Sequence, residues 1–167
     1  MFTFGTFILW LHILAVIVWV GGTICFVLVI SPVLKNHFAS TREFAEVLIK
    51  INNRFKTVQW EAIGVIILTG IFNLINVSYM RNFNFSSNYI NFLVFKLILV
   101  TLIIVSQGIQ NSVYGPRLIS MARSYDQKLE SFPESYKKIR RKIFFLLMVN
   151  IGFAAMVIYI GLGLKYM

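Results

Sequence analysis

Apolar residues run along the chain in four long blocks, residues 7–34, 58–79, 90–113 and 143–164, separated by stretches rich in Lys, Arg, Asn and Ser. Each block is longer than the roughly 20 residues that cross a hydrocarbon core of about 30 Å. Hydrocarbon offers the backbone no hydrogen-bond partner, so such blocks predict helices. The expected fold is therefore all-α, one domain over residues 1–167 built as an integral membrane bundle of four transmembrane helices. The first block has no basic leading segment and no small-residue cleavage site. It also exceeds the length of a signal h-region, so it is expected to stay in the membrane.

Within the first connection, Ser40-x-x-Glu43 has the form of a capping box. Phe44, Val47, Leu48, Ile51 and Phe55 follow at helical spacing. This pattern predicts a short interfacial helix in the first cytoplasmic loop.

Composition agrees with the blocks. Hydrophobic residues make up 58% of the 167 positions and charged residues 13%, against under half and about a quarter in soluble domains. A soluble enzyme, a disordered tail and a disulfide scaffold are excluded, and the single Cys25 forms neither an internal bridge nor a four-cysteine metal site. The net charge of +10 matters through its distribution. Residues 35–57 carry five Lys and Arg and residues 114–142 carry eight, whereas the other ends carry only Arg81 and Lys165. By the positive-inside rule both basic connections face the cytoplasm and both termini lie outside, the N-out/C-out arrangement of a multi-pass inner (cytoplasmic) membrane protein. The run KKIRRK at residues 137–142 sits where topology places it, with anionic lipid headgroups as its natural contact. No aromatic or motif-like pattern accompanies the charge, so nucleic acid is not an expected partner.

Ionisable groups inside spans usually face the bundle interior. His12 lies in the first span, Glu61 at the start of the second and Lys96 in the third. Glu61, beside Trp60 near the cytoplasmic surface, is expected to be solvated or paired with Arg54 or Lys56. His12 lies about five residues below the outer end of its span, roughly 7–8 Å deep, and Lys96 lies at a matching depth. His12, Val16, Trp19, Thr23 and Phe26 share one helical stripe. So do Lys96, Val100, Ile103, Gln107, Gln110, Asn111 and Tyr114. Glu61, Thr69, Asn73 and Asn76 cluster on the second span, and Asn150, Ala154 and Gly161 form a small-residue stripe on the fourth. Shifting the chain by 84 residues lays His12 on Lys96, Pro32 on Pro116 and Leu34 on Leu118. That register suggests a parallel two-helix repeat with His12 and Lys96 as pseudo-symmetric partners.

The stretch Trp10-Leu-His12-Ile-Leu-Ala-Val-Ile-Val-Trp19-Val-Gly21-Gly22 resembles the first helix of the copper-resistance D (CopD) family and of the related HemJ-type protoporphyrinogen oxidases. Arg54-Phe55 ahead of Leu68-Thr69-Gly70, and Phe95-Lys96-Leu97 ahead of Gly115-Pro116-Arg117-Leu118, are similar too. The resemblance implies a bundle holding b-type haem, with His12 as axial ligand. Lys96 would be a second ligand if neutral or a propionate partner if charged, and Trp19 and Asn73 would be further cofactor contacts. His37 lies 25 residues beyond His12, so a continuous helix would hold the two about 37 Å apart and exclude a bis-histidine pair within one chain. A homodimer could instead pair two copies of His12.

Three functions are open at this point. The first is a redox or haem-handling protein with haem on His12. The second is copper transport or delivery with His12 as metal ligand beside Met1 or Met80. No Met-x-x-Met, His-x-His or Cys cluster of the kind soft Cu(I) favours is present. The third is a non-catalytic subunit of a larger membrane complex, held together through Gln107, Gln110 and Asn111.

Overall fold

The computed structural model describes residues 4–30, 32–33, 41–124 and 134–164. Four helices among them are long and apolar enough to cross a membrane, so the protein is an all-α, multi-pass bundle in contact with lipid. The first is α1, Phe4–Cys25, which continues through a π-helical turn, Phe26–Ile30. The second is α2, Thr41–Met80. The third is α3, Ser87–Ile109, followed by a second π-helical turn, Gln110–Tyr114, and a short helix α4, Gly115–Ser124. The fourth is α5, Glu134–Leu164.

The helices overrun the apolar blocks, because hydropathy marks where the membrane lies and not where helical hydrogen bonding ends. The largest consequence concerns the helix predicted in the first cytoplasmic loop. It is not a separate interfacial element. Residues 44–55 form part of the 40-residue α2, which runs unbroken into the second span. No Gly or Pro occurs between Thr41 and Ile63 to interrupt it. At 1.5 Å per residue α2 is about 60 Å long, twice the hydrocarbon thickness. Ser40 and His37 lie outside the described residues, as does the side chain of Glu43, and with them the capping box.

The spans pair as two hairpins, α1 packed on α2 and α3 packed on α5, and α1 also touches α5. The connection between the hairpins is a tight turn with Asn82 and Phe83 in the left-handed region, φ 48° and 57°. Ser86 caps α3 by accepting a hydrogen bond from the Tyr89 N–H at 3.2 Å. Arg81 lies over the Tyr89 ring, 5.1 Å from its centroid.

The membrane core joins Trp19, Ala62, Ile63, Ile103 and Ala154, one or two residues from each span. Beyond the membrane, on the side that the charge distribution assigns to the cytoplasm, Tyr136 is buried against Ile49, Leu118 and Met121. The first turns of α2, all of α4 and the start of α5 thus form a small extension of the bundle. The basic run on α5 faces out, and there Lys137 and Arg141 meet Glu134 at 3.2 and 3.6 Å. Such exposed pairs contribute little to stability.

Candidate functional site

Both predicted stripes face inward. Trp19, Thr23, Ile103, Gln107 and Gln110 are buried, and His12, Lys96, Asn111 and Tyr114 are half-buried. Their polar groups fall into two layers, each drawing one residue from every span.

The outer layer contains His12, Thr69, Lys96 and Gly161. His12 Nδ1 lies 2.8 Å from Thr69 Oγ1. The Thr69 hydroxyl also lies 2.5 Å from the Val65 carbonyl and 3.3 Å from the Ile66 carbonyl of its own helix. When its one proton goes to either carbonyl, the oxygen accepts from the ring, and the tautomer that fits carries the proton on Nδ1 and a lone pair on Nε2. A Cβ at Gly70 would meet His12 Cε1 at 3.5 Å, so the imidazole lies against a glycine surface of α2. Lys96 is turned into the bundle and not toward lipid. Its Nζ is 3.3 Å from where a Gly161 Cβ would sit, and it lies within electrostatic reach of His12.

The inner layer repeats the pattern three turns deeper. His12 to Thr23, Lys96 to Gln107 and Gly161 to Asn150 are each eleven residues, and Thr69 to Gln59 is ten, about 16 Å along a helix. Gln59 Nε2 donates to Thr23 Oγ1 at 3.1 Å, and Gln107 Nε2 donates to Gln59 Oε1 at 2.8 Å. Thr23 in turn donates to the Trp19 carbonyl at 2.8 Å. This chain ties three helices together. Asn150 completes the layer from α5, yet both of its side-chain polar atoms are buried with no hydrogen-bond partner among the described residues. Trp19 Nε1 and Asn111 Nδ2 are in the same condition.

The 84-residue register extends beyond the three pairs that mark it in the sequence. The π-helical turns Phe26–Ile30 and Gln110–Tyr114 superimpose under that shift, each ending two residues before a proline. Ala15 on Leu99, Trp19 on Ile103 and Thr23 on Gln107 are buried in both halves. His12 and Lys96 therefore occupy equivalent positions in two parallel helix pairs.

Of the residues expected around a cofactor, His12 and Lys96 share the outer layer. Trp19 lies seven residues deeper in the core, and Asn73 stands half-buried one turn outward of Thr69. Asn76 turns to α1, where its Nδ2 lies 2.6 Å from the place a Gly5 Cβ would take. Glu61 is exposed on the outer face of α2, with no ion pair to Arg54 or Lys56 among the described residues. Sequence reasoning placed Thr69 and Gly161 on inward stripes but missed their contacts with His12 and Lys96. The signal for Thr69 was its position on the α2 stripe, one helix away from the only histidine in a span. Among the described residues no group of three or more His, Cys, Asp or Glu side chains gathers, while Met80 and Met156 are exposed. Met1 lies outside the described residues.

The family model described as Domain of unknown function (DUF4149) matches residues 14–126, more than half of the chain, and the chain belongs to that family. No curated protein and no solved structure matches it.

Proposed function

We propose that this member of the DUF4149 family is a CopD/HemJ-like membrane protein that holds a b-type haem in the outer polar layer, for redox or haem-handling chemistry. The observation that supports the reading is the bond between His12 Nδ1 and Thr69, which in the Nδ1–H tautomer leaves the Nε2 lone pair for a metal. Ligating histidines are commonly steadied in this way, through the ring nitrogen opposite the metal. Lys96, from the matching position in the second half, would be a second ligand when neutral or a propionate partner when charged. Trp19 and Asn73 would contribute further contacts. When bound, haem supplies one-electron chemistry and a strong visible chromophore. The donor set suits copper less well, because soft Cu(I) selects thiolate and thioether ligands, and the outer methionines that can be described turn away from the bundle.

An absorption spectrum and metal analysis of one sample, purified after growth with ample haem, test the reading. A Soret band is expected in the native chain and its loss in His12→Ala. A native sample that shows no Soret band and takes up no added haem overturns it.

A further inference from the structure

At the opposite end of the bundle from His12, the cytoplasmic halves of α2 and of the α3–α4 segment flank an open cleft of about 620 Å³. Asn52, Asn53 and Lys56 line it from α2, and Asn111, Gly115 and Ser120 face them across it. Among the described residues that line it none is acidic, and Lys56 is the one charged group.

Its far wall is shaped by the second π-helical turn. Gly115 returns its N–H to the Gln110 carbonyl, and a Cβ there would come within 3.2 Å of that oxygen. A larger residue would force the turn open. Single π-helical turns inside α-helices concentrate at functional sites. This one carries Asn111, whose Nδ2 is buried with no partner among the described residues. An unmet buried donor costs free energy unless something supplies an acceptor.

Depth narrows what that something is. Lys56 lies thirteen residues inward of Thr69, and Asn111 fifteen inward of Lys96, about 20 Å and about 22 Å along their helices. Added to the depth of the outer layer, this places the cleft at the level of the cytoplasmic headgroups. The anions at that level are phosphates. An ammonium, carboxamide N–H groups and a hydroxyl, without a carboxylate, form a donor set for anionic oxygen.

We propose that this cleft binds a phosphate ester, either a phospholipid headgroup or a soluble phosphate compound, whose oxygens accept from Lys56 Nζ and from the Asn and Ser side chains around it, with the Asn111 carboxamide turning to present the N–H that is buried and unmet without ligand. The site is independent of the haem reading and shares no residue with it.

Binding is measured on the full chain in neutral detergent, by native mass spectrometry and thermal unfolding at fixed ionic strength. The probes, in separate arms, are inorganic phosphate, dioctanoyl-phosphatidylglycerol and dioctanoylglycerol, which has the same tails and no phosphate. Saturable one-to-one binding is expected for at least one phosphate-bearing probe. Binding to phosphatidylglycerol alone identifies a lipid headgroup, and binding to inorganic phosphate identifies a soluble compound. Lys56→Gln and Asn111→Leu should each weaken binding about tenfold or more. Lys138→Gln, the same charge change on an exposed turn of α5, should match the native chain. Asn111→Leu removes a donor that has no partner, so without ligand it should unfold no earlier than the native chain, which separates lost binding from lost folding. The proposal is overturned by any of three results: no saturable binding of either phosphate probe, equal binding of dioctanoylglycerol, or equal losses in Lys138→Gln and Lys56→Gln.

Discussion

The His12 imidazole and the Thr69 hydroxyl meet at 2.8 Å across the interface of α1 and α2, 57 positions apart in the chain. That contact engages Nδ1 of the ring, and the test of its importance is direct. Thr69→Val should lower haem affinity about 10- to 100-fold, the usual effect of losing a partner that orients a ligating histidine. Thr69→Ser should retain most of it. Titration followed at the Soret band reads both, and a valine variant with native affinity would show that the hydroxyl does not orient the ring.

The inner layer allows a thermodynamic check. Gln107 donates to Gln59 at 2.8 Å, and both residues are buried. A double-mutant cycle on Gln59→Leu and Gln107→Leu should yield a coupling of about 0.6–2 kcal/mol, the range for hydrogen bonds between membrane helices. Additive losses would mean that the two amides act separately.

Asn150 should behave in the opposite sense. Its side chain is 1% exposed and neither polar atom has a partner among the described residues. Asn150→Leu conserves volume and removes the unmet groups, so it should stabilise the bundle by about 1–3 kcal/mol in reversible unfolding. Destabilisation would reveal a partner, such as an ordered water, that the leucine had displaced.

Close packing at one glycine is testable too. A Cβ at Gly22 would lie 3.0 Å from the Phe55 ring, and that ring is itself stacked on Phe26 with centroids 5.3 Å apart. Two fixed aromatic planes cannot yield as a flexible chain does. Gly22→Ala should cost about 1–3 kcal/mol, and Phe55→Leu in the same background should recover part of it.

Orientation is read by labelling intact cells with a membrane-impermeant maleimide after Cys25→Ala. A cysteine at position 84 should react from outside, and one at position 138 only after the cells are opened. The reverse pattern would invert the bundle.

Much of this was legible in the sequence because a membrane imposes simple rules. The spans follow from block length, and the inward stripes carrying His12 and Lys96 follow from the 3.6-residue period. The 84-residue register, marked by one proline in each half, matches the positions of the two π-helical turns, although nothing in the sequence marked them as π-helical. Other features were hidden for identifiable reasons. A threonine in an apolar helix ordinarily bonds back to its own helix, as Thr69 does to Val65, so nothing in sequence marks it as a histidine's partner. Hydropathy falls sharply between Phe55 and Val58, which suggests a boundary, but helical hydrogen bonding does not depend on hydropathy and α2 continues through it. The cleft between α2 and α4 joins Lys56 to Asn111, residues that no local pattern relates.

The continuity of α2 has a mechanical consequence. Lys56 and Thr69 ride on one helix, so a shift or rotation imposed where it leaves the membrane on the side of the basic connections is carried to the hydroxyl that contacts the His12 ring. A hinge at the membrane surface would have insulated the two ends from each other. Without one, the chain has a built-in pushrod between its aqueous face and the imidazole of His12.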